Sequence, residues 1–215
     1  MVRGCLATDR CIDIWDGTFM AKKLFMAAAS LGGIDLWKKM IGEINLSQDS
    51  ALVIAIHIIE GDFAGKLVEL FQKFSRYNVE LLKDGDQIRS GTIYVCDGGM
   101  ISSFKNSVGN SVIATVAPMS SLIKVGERRI STPNFDILFS SAVHLKNIVP
   151  VGIIMTGAAN DGVRGLMEMK KNGLITIAQD ENSSYVFGQN KAAIEAGAAT
   201  TVLSAGEIIS YINAG

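Results

Sequence analysis

Residues 22–37 constrain the fold more than any other part of the chain. Lys22-Lys23 leads into the apolar run Leu24-Phe25-Met26-Ala27-Ala28-Ala29, which breaks at Ser30-Leu31-Gly32-Gly33 and resumes as Ile34-Asp35-Leu36-Trp37 with helical spacing. A continuous apolar run of strand length suits a strand covered on both faces. Small residues on either side of Ser30 let the backbone turn sharply and bring the hydroxyl out at the strand end. The pattern therefore predicts strand, tight turn and helix, with Ser30 displayed as a nucleophile would be. The G-x-S-x-G form is not matched, because Ala28 stands at the first glycine position. A serine that caps the following helix satisfies the same local pattern.

The rest of the chain repeats this grammar with one interruption. Leu36, Trp37, Met40, Ile41 and Ile44 give the first helix, from about Ile34 to Glu43, an apolar stripe. Leu52-Val53-Ile54-Ala55-Ile56 reads as a second buried strand with His57 directly after it, and 63–75 as a helix with Phe63, Leu67, Leu70, Phe71 and Phe74 on one side. Short strand-like pieces follow at 79–82, 92–95, 101–105 and 112–116, and Val108-Gly109-Asn110 reads as a hairpin turn. Thr132-Pro133 opens a helix, with threonine as cap and proline at the first helical position. His144, on or beside that helix's apolar face, reads as a structural residue without a functional role. Alternation then returns: a strand at 151–156, a loop Gly157-Ala158-Ala159-Asn160-Asp161-Gly162, a helix at 163–171 ended by Asn172-Gly173, a strand at 174–178, a helix near 191–195, a strand at 200–202 and a closing helix at 205–212. The expectation is one α/β domain spanning residues 22–215. Its core is a doubly wound, mostly parallel sheet with helices on both faces and an antiparallel hairpin insertion between about Thr92 and Val116. Residues 1–21 lack a clear period and read as a leader or linker remnant outside the core.

Composition narrows the function classes. The 215 residues are 48% hydrophobic and 19% charged, with a formal net charge of -1, which fits a well-buried globular chain and supplies no basic footprint for nucleic acid. Three cysteines without C-x-x-C spacing and two histidines without H-E-x-x-H suggest neither a disulfide framework nor a metal centre. Charges at Arg3, Asp9, Arg10, Asp13 and Asp16 interrupt the region where a signal peptide needs its apolar core, so a soluble, reduced, cytoplasmic setting without membrane insertion is expected.

Ser30, His57 and Asp161 each lie just beyond the carboxyl end of an expected buried strand, the edge of an open α/β sheet where reacting groups gather. A serine becomes a nucleophile at neutral pH when a base takes its proton, and a histidine base needs a partner that fixes its tautomer and stabilises its charged form. The three residues together meet that requirement. Separately, each has another reading: Ser30 in a phosphate-cradling loop of a flavin- or nucleotide-binding module, His57 as a core histidine bonded to backbone, Asp161 as a helix cap.

At the level of motifs the chain resembles the catalytic domain of the chemotaxis protein-glutamate methylesterase family, CheB. The resemblance is carried by Ala28-Ala29-Ser30-Leu31-Gly32-Gly33, Ile54-Ala55-Ile56-His57, Asp84-Gly85-Asp86 with Gly91-Thr92-Ile93-Tyr94-Val95, Phe135-Asp136-Ile137-Leu138-Phe139, Thr156 through Gly162, and Ala178-Gln179-Asp180-Glu181 through Val186-Phe187-Gly188. It runs from about Leu24 to the carboxyl terminus. It implies Ser30 as nucleophile, His57 as base and Asp161 behind it. It also implies a cofactor-free hydrolysis of γ-glutamyl methyl esters on the cytoplasmic helices of methyl-accepting chemoreceptors, with deamidation of certain glutamines.

The chain departs from the pattern in several places. Leu31 stands where the family usually has threonine, which removes a hydroxyl from the oxyanion side of the nucleophile. Ile56 and Ile58-Ile59 replace the glutamine and Met-Pro around the histidine. Gly157-Ala158-Ala159-Asn160-Asp161 replaces Gly-Met-Gly-Asn-Asp, leaving the Ala158 N–H as the expected oxyanion donor. Ser131-Thr132-Pro133-Asn134 replaces His-Arg-Pro-Ser. Too few residues precede Leu24 for an amino-terminal receiver domain, so any response-regulator control is expected from a separate domain. A catalytically weak receptor-binding or regulatory module of the same fold is the alternative function.

Overall fold

The computed structural model describes residues 20–58, 63–118 and 133–215. Residues 1–19 of the expected leader, and Ser131 and Thr132 of the departing motif, lie outside them.

Seven strands form one sheet in the order β3-β4-β2-β1-β7-β8-β9, every adjacent pair parallel: β1 Lys23–Ala29, β2 Ser50–Ile56, β3 Asn78–Leu81, β4 Thr92–Val95, β7 Val149–Ile154, β8 Ile175–Gln179 and β9 Thr201–Leu203. The remaining two, β5 Met100–Asn106 and β6 Val112–Pro118, make the antiparallel hairpin. Side-chain alternation along β1 divides the interior into two layers. Leu24, Met26 and Ala28 face one, with Phe135, Leu138 and Phe139 of α3 (Phe135–Ser141), Leu166 and Met169 of α4 (Val163–Lys171), Ala193 of α5 (Gln189–Glu195) and the hairpin's Phe104 and Ala114. Phe25, Ala27 and Ala29 face the other, with Leu36, Trp37 and Met40 of α1 (Gly33–Met40), Leu67 and Phe71 of α2 (Phe63–Gln72) and Ile208 and Ile212 of α6 (Ala205–Asn213). This is the expected α/β architecture, with helices on both faces. Full burial of a large side chain contributes about 1.5–3 kcal/mol, so strands covered on both sides carry much of the stability.

The structure corrects several local expectations. Thr92–Val95 does not open the antiparallel insertion but pairs parallel with both β2 and β3, and all four of its residues are buried. A four-residue apolar strand reads the same in a hairpin or a buried parallel sheet, and only its neighbours decide; the insertion proper is β5–β6. The Val108–Asn110 turn does connect that hairpin, with Gly109 at φ 74°. At α3 the cap is Asn134, whose side chain accepts the Ile137 N–H at 2.9 Å, so Pro133 precedes the helix instead of opening it. Phe63 and Phe74, assigned to the apolar face of α2, are each 49% exposed: Phe63 opens the helix, Phe74 lies beyond its end at Gln72, and only Ala64, Leu67 and Phe71 of the helix are buried. Ala21, within the segment set apart from the core, is buried and donates its N–H to the Ile88 carbonyl at 3.2 Å. His144 is exposed in the turn after α3, and its carbonyl accepts from the Asn106 side chain. Among the described residues no helix is long and apolar enough to cross a membrane, and no cluster of His, Cys, Asp and Glu is placed to hold a metal ion.

Strand order places the site. From β1 the chain moves to β2 on one side, out to the edge strand β3 and back to β4 between them, and β7 lies against the other side of β1, so the order reverses between β1 and β7. At such a switch point the crevice beyond the carboxyl ends of the strands is free of crossing connections.

Candidate active site

Three loops meet at this crevice. Ser30 follows β1, His57 follows β2, and the 157–162 loop follows β7. Ala29 and Ile56 are register partners, and the His57 N–H donates to the Ala29 carbonyl at 3.0 Å, so Ser30 and His57 continue the register as the next pair. The Ser30 N–H donates to the Thr156 carbonyl at 2.8 Å, which ties the serine to the other strand of the switch point.

His57 is held on two sides. Its Nε2 lies 2.9 Å from Asp161 Oδ2, and the imidazole stacks on the Phe135 ring with centroids 3.9 Å apart and 5° between the planes. The two polar side chains are about nine-tenths buried, at 10% and 9% exposure, where water competes little for the bond. With the Nε2 proton donated to the carboxylate, the lone pair resides on Nδ1, which makes no hydrogen bond among the described residues. Ser30 Oγ is likewise unbonded there. The serine-protease template uses the nitrogens the other way round, with Nδ1 on the aspartate and Nε2 on the serine.

Asp161 is a helix cap, as one sequence reading allowed, but of a different helix from the one it precedes. Its Oδ2 accepts the Phe135 N–H at 2.8 Å and its Oδ1 the Asp136 N–H at 3.2 Å, the first two orphan donors of α3. The cap of its own helix α4 is Gly162, at φ 95° without a side-chain bond. One carboxylate thus joins β7, α3 and His57, and α3 delivers Phe135 to the imidazole face.

The capping reading of Ser30 fails for a related reason. The residue at the α1 cap is Gly32, at φ 83°, with no side-chain cap bond. A Cβ at Gly32 would sit 2.7 Å from Tyr185 Cβ in a left-handed conformation. Gly32→Ala is therefore expected to destabilise the protein by about 1–3 kcal/mol, lowering Tm by several degrees, and to displace the Ser30 turn. A thermal melt showing no loss would mean that the turn and Tyr185 yield freely.

Thr156 carries a role that sequence reasoning missed. Fully buried two residues beyond β7, it donates its hydroxyl toward the Leu31 carbonyl (3.1 Å) and the Val186 carbonyl (3.3 Å), accepts the Val186 N–H (2.9 Å), and donates its own N–H to Gln179 Oε1 (2.9 Å). It couples the Ser30 turn to the 185–188 segment. The available signal was a threonine closing a run of aliphatic residues; its partners lie 23, 30 and 125 residues away. Phe135 was assigned to an apolar helix face, and nothing local marks it as the residue that stacks on His57.

Leu31 is 62% exposed and Ala158 is also exposed, and the backbone N–H of each is unengaged among the described residues. Both lie at the rim beside Ser30. Cys96, by contrast, is buried, and burial pushes its thiol up to about 12, so it is neither ionised at neutral pH nor accessible.

A doubly wound α/β domain with a serine, and a histidine–aspartate pair beside it, at the switch point of the sheet defines the class. Within that class the chain belongs to the CheB methylesterase family, whose model matches residues 25–212. It is 33% identical over 184 residues to a protein-glutamate methylesterase/protein-glutamine glutaminase of Photorhabdus laumondii, a match covering 85% of this chain and 50% of that protein. A protein of the same description from Chromohalobacter salexigens is 31% identical over 188 residues, covering 87% of this chain and 51% of the other. The chain thus spans about half the length of these curated relatives. The CheB methylesterase catalytic domain of Thermotoga maritima superposes with a TM-score of 0.78 at 25% identity, covering 91% of this chain and 99% of that one.

Proposed function

We propose that this chain is a serine hydrolase domain that removes methyl esters from glutamyl side chains on the cytoplasmic helices of methyl-accepting chemoreceptors. The observation that carries the reading is the His57–Asp161 pair, 2.9 Å apart and largely buried, with Ser30 at the adjoining register position. In the mechanism His57 Nδ1 takes the Ser30 hydroxyl proton as Oγ attacks the ester carbonyl, and the Asp161 carboxylate stabilises the imidazolium. His57 then returns the proton to the departing methoxide, releasing methanol and leaving the glutamyl ester of Ser30. Water, deprotonated by the same nitrogen, hydrolyses that ester and regenerates the serine. The developing oxyanion faces the rim, where the N–H groups of Ala158 and Leu31 are the free donors. Deamidation of a receptor glutamine follows the same steps with ammonia as leaving group. Residues 22–215 would act as the catalytic unit, in the cytoplasm where the receptor helices lie, under a response-regulator domain that residues 22–215 do not include. The test is methanol release from methylated receptor membranes. No release above that of a Ser30→Ala control would leave the weakly catalytic, receptor-binding module as the reading.

Leu31 bears on the rate. Backbone N–H groups act without help from a hydroxyl at position 31, and one oxyanion donor is worth roughly 10²-fold. Leu31 is largely exposed, so a packing role is small and Leu31→Thr is expected to fold normally. It should raise kcat about tenfold or more with KM little changed, because an oxyanion contact acts chiefly in the transition state. Steady-state kinetics of both forms on a methylated receptor peptide decide it; an unchanged kcat removes the hydroxyl from the account.

A further inference from the structure

Gln189, the first residue of α5, is completely buried, yet among the described residues neither its Oε1 nor its Nε2 has a hydrogen-bond partner. A buried carboxamide with both ends orphaned is costly, and such groups call for an explanation in function. The nearby Gln179, equally buried, gives the contrast: its Oε1 accepts the Thr156 N–H, and its Nε2 donates to the carbonyl and hydroxyl of Ser183.

The position of Gln189 is specific. Its backbone N–H donates to the Gly157 carbonyl at 2.7 Å, and its side chain folds back over the Gly157 α-carbon. A Cβ built on Gly157 would meet Gln189 Oε1 at 2.3 Å and Ser30 Cβ at 2.8 Å, so the carboxamide and the serine side chain converge on one point. Only a glycine at position 157 leaves room for both. The Ser30 side chain, whose Oγ is unbonded among the described residues, and the unused amide thus flank the same α-carbon.

We propose that Gln189 is a positioning residue for Ser30, its Nε2 donating to Oγ while the hydroxyl proton points to His57 Nδ1. Neither end of the carboxamide is held, and Ser30 Oγ is unbonded among the described residues, so a half-turn of the amide together with a rotation of Ser30 about its Cα–Cβ bond is what the contact requires. A serine hydroxyl accepts such a bond on one lone pair while donating its proton elsewhere, and the two contacts together select one rotamer. The proposal rests on Ser30 being the nucleophile.

The test is the rate at which a fluorophosphonate labels Ser30, with kcat and KM on methylated receptor peptide, in the parent and in Gln189→Met, a side chain of similar length without polar atoms. The expected result is a labelling rate and a kcat about tenfold lower per folded molecule, the effect of one ordinary hydrogen bond, with KM unchanged and Tm equal or higher because two orphaned groups are gone. An unchanged labelling rate in Gln189→Met, or a loss that disappears once rates are normalised to the folded fraction, overturns the proposal. Should Gln189→Met not fold, Gln189→Glu keeps the shape and places a titrating group against Oγ. Its pH profile of labelling should then depart from the parent's, and a superimposable profile overturns the proposal. If the parent itself is not labelled where a denatured control is equally blank, the nucleophile reading fails and the positioning role with it; labelling of the parent with an indifferent Gln189→Met sinks the positioning role alone.

Discussion

Ser30→Ala is expected to lower kcat on methylated receptor substrate about 10⁶-fold, the scale seen when the nucleophile of a serine hydrolase is removed, while moving the unfolding free energy by less than about 0.5 kcal/mol. The two halves of this expectation come from different observations. Ser30 sits where the strand order reverses, at the register position beside His57, whose ring nitrogen not engaged by Asp161 is Nδ1. Its Oγ makes no hydrogen bond among the described residues, its side chain is only partly buried, and the helix after it is capped by Gly32. Loss of the hydroxyl therefore removes chemistry and almost no packing. Methanol release and a thermal melt on the same preparation check both. A variant with normal turnover and a lowered Tm would show that the hydroxyl is structural and that the nucleophile lies elsewhere.

Asp161 bonds both His57 and the first turn of α3 with one carboxylate, and two substitutions separate the two contacts. Asp161→Ala removes the imidazole's partner and the acceptors of the first two N–H groups of α3 together. It should lower kcat about 10⁴-fold and stability by about 2–3 kcal/mol, since two backbone donors and a buried ring nitrogen lose their acceptor. Asp161→Asn has a milder expected effect than in a serine protease. Two donors, His57 Nε2 and the Phe135 N–H, converge on Oδ2, while only the longer 3.2 Å bond from Asp136 reaches Oδ1. The asparagine carbonyl should occupy the Oδ2 position, so the imidazole keeps its tautomer and what is lost is the negative charge opposite the imidazolium. A kcat loss of about 10–10³-fold, with stability within about 1 kcal/mol of the parent, is expected. Stopped turnover and melting curves for both variants provide the comparison. If the asparagine form folds normally but is as inactive as the alanine form, the tautomer argument is wrong. If the alanine form retains its kcat, Asp161 serves α3 alone.

Much of this protein was written locally. The apolar runs at 24–29 and 52–56, too continuous for a half-exposed sheet, specify strands buried on both faces, and the stripes of Leu36, Trp37, Met40 and Leu67, Phe71 specify helices to cover them. Period alone carries this information, because side-chain direction repeats every two residues in a strand and every 3.6 in a helix. The placing of Ser30, His57 and Asp161 at one edge also follows from local pattern, since each directly follows a strand or its loop and parallel strands end on the same side.

What the tertiary structure decided were the relations that depend on which elements become neighbours. Thr92–Val95 is a parallel strand because β2 and β3 flank it, a fact absent from its four residues. Asp161 caps α3 and not α4 because the chain brings Phe135 to it across 26 residues of sequence. The use of Nδ1 as the free nitrogen of His57, the Phe135 stack, the Thr156 links to Leu31 and Val186, and the meeting of Gln189 with Ser30 over Gly157 all arise between segments distant in the chain. Propensity and period report how a residue treats its immediate neighbours along the backbone. Which ring nitrogen faces a carboxylate, and which carboxamide is left without a partner, are settled only when separate strands and helices pack and the remaining polar atoms must take the partners that packing supplies.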